Sequence, residues 1–207
     1  MKLDGKNILV LDLETQKSFK EVKGSRANLL EKLKISVVGV YDYLDGQYRV
    51  YEEKAIMDLE KRFQEIDLLI GFNIRRFDLP VLAPYLFMSI ENIPMLDLLD
   101  VIEEQRGHRA SLDSLARPTL KAHKSGTGKD ALVLYKENRL AELKKYCLDD
   151  VRLTKDIYEY GLEKGQVLFT STWDYKTYEI SVNWKQKTGE FLQKAASKQN
   201  QFPSSLF

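Results

Sequence analysis

Two carboxylates stand one residue apart at the end of an apolar run, Asn7-Ile8-Leu9-Val10-Leu11-Asp12-Leu13-Glu14-Thr15. Such a run reads as a buried strand. Because strand side chains alternate between faces, Asp12 and Glu14 point the same way, about 6–7 Å apart along the chain. Two anions held that close by one rigid element attract a cation between them. Acidic pairs at this spacing recur by chance in a chain with 31 Asp and Glu, so the pair gains meaning only from what joins it. Two later stretches do. In Gly71-Phe72-Asn73-Ile74-Arg75-Arg76-Phe77-Asp78-Leu79-Pro80, Asp78 falls where a strand has ended and a helix begins. In Tyr146-Cys147-Leu148-Asp149-Asp150 the four-residue step puts Tyr146 and Asp150 on one helical face, with Asp149 turned about 100° away as the solvated acid.

Elements that could position these groups follow from periodicity. After the first strand, the polar, Lys-rich residues 16–34 lead to strands over Ile35–Tyr43 and Tyr48–Tyr51, joined by the turn signal Leu44-Asp45-Gly46-Gln47. These three pair antiparallel, with the doubly apolar first strand in the middle. Helical spacing over Ile56–Ile66, a short strand Leu68–Phe72, a helix over Leu79–Met88 and a strand Met95–Leu98 imply a sheet that turns parallel in its second half. Ser111–Ala116 reads as a short helix and Arg117–Asp130 as a loop. Glu137–Leu162 is the longest helix, with Gly161 and Gly165 as stopping points. Val167–Trp173 and Thr177–Trp184 form a hairpin around Asp174-Tyr175-Lys176 that extends a sheet or makes an interface, and 185–207 is mostly polar. The organisation is therefore residues 1–163 as the main domain and 164–207 as a hairpin and tail appended to it.

Composition narrows the chemistry. A chain of 207 residues at 43% hydrophobic and 30% charged can bury one core, and its net charge of +1 leaves nucleic-acid binding to local basic patches. One cysteine excludes an internal disulfide and a Cys-rich zinc site, and two histidines are too few for a His-based metal site. No stretch approaches the roughly 20 apolar residues of a membrane span, so no membrane association and a cytoplasmic location are the expectations.

In order, Asp12-x-Glu14, Asn73-x-x-x-Phe77-Asp78 and Tyr146-x-x-x-Asp150 resemble the three exonuclease motifs of the DEDD superfamily, in its tyrosine-bearing (DEDDy) subgroup. With Ser111-Leu112-Asp113-Ser114-Leu115-Ala116, the pattern over residues 7–162 is most similar to the proofreading domain of family-B DNA polymerases and its stand-alone bacterial relatives. The resemblance implies an α/β, ribonuclease H-like fold, a five-stranded mixed sheet with helices on both faces. It also implies metal-dependent 3′-to-5′ exonuclease activity on nucleic acid, single-stranded DNA favoured over RNA. Such hydrolysis uses two divalent ions about 3.5–4 Å apart, and an all-oxygen ligand set suits Mg²⁺ or Mn²⁺. By the family's pattern Asp12 bridges the ions, Glu14 and Asp150 complete the water-bearing site, Asp78 helps hold the second ion, and Tyr146 orients the attacking water.

Other residues carry two readings each. Thr15 contacts the terminal nucleotide or extends the strand. Asn73 touches substrate or stabilises a turn, and Phe77 stacks on a base or joins the core. Arg75 and Arg76 meet phosphates or are solvated. Lys121, Lys124 and Lys129, on a loop with Gly126 and Gly128, clamp phosphate or are solvated. Asp97 and Asp113 read as structural, and His123 is not needed where Tyr146 stands. Two other functions fit the same fold, a non-catalytic binding domain and a structure-specific endonuclease. With no polymerase or helicase region in the sequence, the domain acts alone or through a protein partner that supplies the substrate. The last residues, Gln201–Phe207, faintly resemble the terminal Ser-Leu-Phe of bacterial sliding-clamp-binding peptides, without the glutamine at the expected offset.

Overall fold

The computed structural model describes residues 1–24, 26–171 and 173–200, so the 201–207 peptide lies outside the described residues. Its centre is the strand that ends in the acidic pair, β1 (Ile8–Thr15). Around it pair β2 (Ile35–Asp42), β3 (Gln47–Glu52), β4 (Leu68–Gly71) and β5 (Met95–Asp97) in the order β3-β2-β1-β4-β5. The β1–β2 and β2–β3 pairs are antiparallel, and β1–β4 and β4–β5 are parallel. This is the five-stranded mixed sheet implied by the resemblance, with β1 in the middle as its two-sided apolarity requires.

Alternation along β1 decides which helices face the acids. Leu9, Leu11 and Leu13 point into one core layer with Ile56, Leu59 and Phe63 of α2 (Ile56–Phe63) and Leu79 and Leu82 of α3 (Asp78–Leu82). Ile8 and Val10 point into the other, against α4 (Leu98–Arg106), α5 (Leu112–Leu120) and α7 (Leu140–Lys164). Asp12 and Glu14 continue the second face by the strand's period of two, so they open toward α7. Gly165, at φ 70°, takes the left-handed position that ends α7.

Four helices lie where the sequence pattern shows none. α1 (Arg26–Lys32) sits inside the Lys-rich stretch, and α4 follows β5 directly, its first turn capped by the Asp97 carboxylate accepting from Leu99 N–H. α5 continues through Pro118 to Leu120 instead of stopping at Ala116. α6 (Gly128–Lys136) begins within the expected loop, with the Thr127–Asp130 capping box at its start. The fourth is α8 (Trp184–Asn200), where the sequence pattern shows the end of a strand at Trp184 and then mostly polar residues.

The ribbon of β6 (Gln166–Thr170) and β7 (Thr177–Ser181) is also shorter than its aromatic run suggests. It forms a sheet of its own and does not extend the main one. Trp184 belongs to neither strand. It opens α8 and is fully buried in the layer that holds Tyr158 and Leu162 of α7. A Cβ on Gly161 would fall 2.2 Å from its ring, so the glycine is what lets the indole dock. Tyr158 Oη and Thr188 Oγ1, 2.7 Å apart, tie the two helices together. Trp184→Ala is expected to cost about 3–5 kcal/mol, the range for emptying a large aromatic site, read as a lower urea midpoint. Among the described residues no helix is long and apolar enough to cross a membrane.

Candidate active site

The site forms at the carboxyl ends of β1 and β4, the crevice where ligands gather in open sheets with parallel strands. The parallel ladder stops at Leu11 opposite Gly71, which leaves the Leu13 N–H without a strand partner on that side. Asp78, at the start of α3, takes it: Leu13 N–H donates to Asp78 Oδ1 at 3.1 Å. From the other face, α7 brings Tyr146 and Asp150. The helix approaches closely because Gly39, the β2 partner of Asp12, has no side chain; a Cβ there would lie 2.9 Å from Cys147 Sγ and 3.0 Å from Val151 Cγ2. Cys147 Sγ in turn sits 3.5 Å from the Asp12 carbonyl oxygen, which accepts from it. Gly39→Ala is therefore expected to shift α7 by tenths of an ångström. It should cost about 1–3 kcal/mol, the usual penalty of overpacking, and lower turnover, both read on one preparation by urea titration and by rate.

Ligand atoms of Asp12, Glu14 and Asp150 all lie within 4.8 Å of one another. Carboxylate oxygens gathered this closely are near enough to share one cation. Asp78 borders the three through the β1 backbone without joining that group. Two polar atoms point into the cluster without partners. Among the described residues Tyr146 Oη and Asp150 Oδ1 are buried and make no hydrogen bond, an arrangement that costs free energy unless an ion or water fills it.

Lys124 is the cation that does touch the cluster. Its Nζ lies 2.6 Å from Asp150 Oδ2 and 5.9 Å from the centre of the Tyr146 ring, and its backbone N–H donates to Asp113 Oδ1 at 3.0 Å.

The electrostatics match a site short of positive charge. Burial, then the neighbouring Asp150, Asp78 and Glu14, pushes Asp12 far above the ordinary carboxylate range. Burial and Asp150 push Glu14 up to about 8. Burial raises Asp78 to about 7 against the pull of the Leu13 N–H. Burial raises Asp150 too, with Lys124 opposing. Burial alone would lower Lys124, but Asp150 and Asp12 hold it above the usual lysine value. The Tyr146 hydroxyl is raised by burial and by the same acids, so it is a neutral phenol that can donate a hydrogen bond.

The remaining sequence candidates spread outward. Thr15 Oγ1 donates to the Lys17 carbonyl at 3.0 Å. Asn73 sits at φ 71° in a turn, its N–H donating to Asp97 Oδ1 at 2.8 Å and its Oδ1 accepting from Arg109. Asp97 also accepts from Arg75 N–H. The Arg75 and Arg76 side chains pair with α4, at 2.8 Å from Arg75 to Asp100 and 3.0 Å from Arg76 to Glu103. Lys121, in the left-handed position that ends α5, and Lys129, in the first turn of α6, are exposed. Phe77 is half-buried against the α2 and α3 layer, with the ring of Phe19 meeting it edge-on at 6.1 Å. Phe19 escaped the sequence reading, although it is the one aromatic residue in the polar stretch 16–34 and is half-exposed.

A family model for the RNase_H superfamily matches residues 28–161, more than half of the chain. The chain belongs to the RNase_H superfamily. The matched stretch holds Asp78, Tyr146 and Asp150, while Asp12 and Glu14 precede it on the strand that pairs with it. Among solved structures, this superfamily member is similar to the family B DNA polymerase from the hyperthermophilic archaeon Pyrobaculum calidifontis. The two share 20% identity at a TM-score of 0.56, over 75% of this chain and 24% of the polymerase. The likeness is one of fold, and the chain spans about a quarter of that polymerase's length. No curated protein matches the sequence.

Proposed function

We propose that the protein is a metal-dependent 3′-to-5′ exonuclease of the tyrosine-bearing DEDD kind, releasing nucleotides from the 3′ end of single-stranded or frayed nucleic acid. The observation that carries the reading is the convergence of Asp12, Glu14 and Asp150 beside the buried, unpartnered Tyr146 hydroxyl, in a chain of the RNase_H superfamily. The donors are all hard oxygens, which fits Mg²⁺ or Mn²⁺ and not zinc. Two such ions, when bound, supply an activated water and neutralise charge on the phosphoryl group and leaving oxygen.

The protein's own groups do the rest. Asp12 has its ligand atom within 4.8 Å of those of Glu14 and Asp150 and is followed by Leu13, whose N–H donates to Asp78, so it would be the ligand that the two ions share. Glu14 and Asp150 would hold the ion that carries the attacking water, and Asp78, fixed by the Leu13 N–H, would help to hold the second. Tyr146 keeps its proton and donates it in a hydrogen bond that aligns the attacking oxygen, a role of orientation and not of base catalysis. Lys124, whose ammonium lies 2.6 Å from Asp150 Oδ2, would be placed to meet a phosphate oxygen of the substrate. Phe19 and Phe77 form an aromatic lip beside Asp78 on which the terminal base can stack.

The test uses three substrates with Mn²⁺, a 5′-labelled single strand of DNA, one of RNA, and a circular single strand. The expected result is a ladder shortening from the 3′ end with the circle intact. A cut circle identifies an endonuclease, binding without cleavage a non-catalytic domain, and either outcome overturns the proposal.

A further inference from the structure

Among the described residues Asp150 is the one carboxylate of the cluster that holds an ion pair, and its partner arrives on a segment with little freedom. Helix α5 ends at Lys121, whose φ of 54° turns the chain back toward the start of the same helix. There, in the first turn, Asp113 Oδ1 accepts from the Lys124 N–H at 3.0 Å. From Asp113 to Lys121 the helix rises about 12 Å, and the three residues that return to Lys124 span at most about 10–11 Å. The return is close to taut. Arg117, one turn along α5, sets the angle of the Asp113 carboxylate, its Nε 2.5 Å from Oδ2.

The far end of the segment is fixed as well. The Thr127 N–H and hydroxyl both donate to Asp130 Oδ2, at 2.7 and 2.8 Å, where α6 begins. Between these two points Gly126 passes so near the cluster that a Cβ would fall 3.3 Å from Tyr146 Cε2. What the segment presents is the Lys124 ammonium. Its side chain is mostly buried, and Nζ lies 2.6 Å from Asp150 Oδ2, on the carboxylate whose ligand atom is within 4.8 Å of those of Asp12 and Glu14. A lysine ammonium is a compact point charge on a flexible stem, so it can hold one carboxylate oxygen and let it go.

We propose that Asp113 is a positioning residue, which through the Lys124 backbone sets the ammonium against Asp150, where it competes with a divalent ion for that carboxylate. The inference rests on the proposed nuclease reading for its metal site. Asp113, structural by its sequence, then governs how readily the cluster takes up metal.

The experiment needs no cleavage. Mn²⁺ is titrated calorimetrically into the metal-free 207-residue chain at pH 7.5 without nucleic acid. Lys124→Met should tighten Mn²⁺ binding by about tenfold or more, the scale of repulsion between positive charges about 4 Å apart near a protein surface. Asp113→Ala is the sharper arm. It removes a negative charge, which by charge alone weakens cation binding, whereas release of Lys124 tightens it several-fold. Asp113→Asn keeps an oxygen acceptor for the Lys124 N–H and should stay at the wild-type affinity, although it gives up the Arg117 ion pair. In a Lys124→Met background Asp113→Ala has no ammonium to release and brings no further gain, so the two changes fail to add.

Unchanged or weaker Mn²⁺ binding by Lys124→Met overturns the competition, and unchanged or weaker binding by Asp113→Ala overturns the tether. Should Lys124→Met not fold, the comparison of Asp113→Ala with Asp113→Asn decides alone. A wild type and variants that all take up no Mn²⁺ remove the metal site and this inference with it. Tightened binding in variants of a protein that cleaves no substrate leaves the inference standing and removes only the nuclease reading.

Discussion

Asp12→Asn removes nuclease activity, by about 10³-fold or more, while the folded protein remains soluble and its melting temperature without metal rises. The loss should exceed the 10²–10³-fold that follows removal of a single charge-stabilising donor, because Asp12 has its ligand atom within 4.8 Å of those of both Glu14 and Asp150 and is the proposed ligand of both ions. Without it the proposed pair of ions has no shared ligand. Tyr146→Phe is the matched control. It removes one hydroxyl that has no hydrogen-bond partner among the described residues, so turnover should fall roughly 10- to 100-fold through lost orientation, with KM and the metal-dependent shift in melting temperature nearly unchanged. The measurement is release of 3′-terminal nucleotides across Mn²⁺ concentrations, with thermal melts on the same samples. Wild-type activity in Asp12→Asn places the chemistry elsewhere in the chain.

The parts of this site written in the sequence are those governed by a regular period. The strand's period of two put Asp12 and Glu14 on one face, and the four-residue helical step joined Tyr146 to Asp150, as the structure places them. What escaped depends on loops and on single contacts. Lys124 is a phosphate-clamp candidate in the sequence, but it lies in an irregular segment between α5 and α6, and no spacing announces that its side chain folds back onto Asp150. Gly39 reads as one more small residue in an apolar strand until α7 is seen against it. α8 was invisible because most of its residues are polar and its anchor, Trp184, continues the aromatic run of β7, so a strand pattern hid a helix start. α4 was hidden by its neighbour. Asp97 both ends β5 and caps the helix, leaving no polar break between the two.

The metal-free protein loses stability as the pH rises, and divalent metal restores it. Glu14 has its ordinary pKa of about 4.5 in the unfolded chain and about 8 in the metal-free fold, because burial and Asp150 disfavour its charge. A carboxyl raised in this way binds its proton more tightly when folded. Its contribution is complete below the unfolded value and fades across the interval from about 4.5 to about 8. Asp78, raised to about 7, fades over an overlapping interval, and Asp12 shifts in the same direction. A tenfold change in acidity is worth about 1.4 kcal/mol, so the group as a whole costs the metal-free fold a few kcal/mol at pH 8.5 relative to pH 5.5. Lys124 offsets part of that cost, since its ammonium lies against Asp150. Three results follow in thermal melts with EDTA: the wild type melts several degrees lower at pH 8.5 than at pH 5.5, Glu14→Gln narrows the gap, and Lys124→Met widens it. Adding Mg²⁺ or Mn²⁺ at pH 8.5 raises the wild-type melting temperature, as binding to the folded state alone must, and raises that of Asp12→Asn far less. A wild-type protein that melts at the same temperature at both pH values, with and without metal, means that the carboxylates are not held together in the fold and that the cluster is not a metal site.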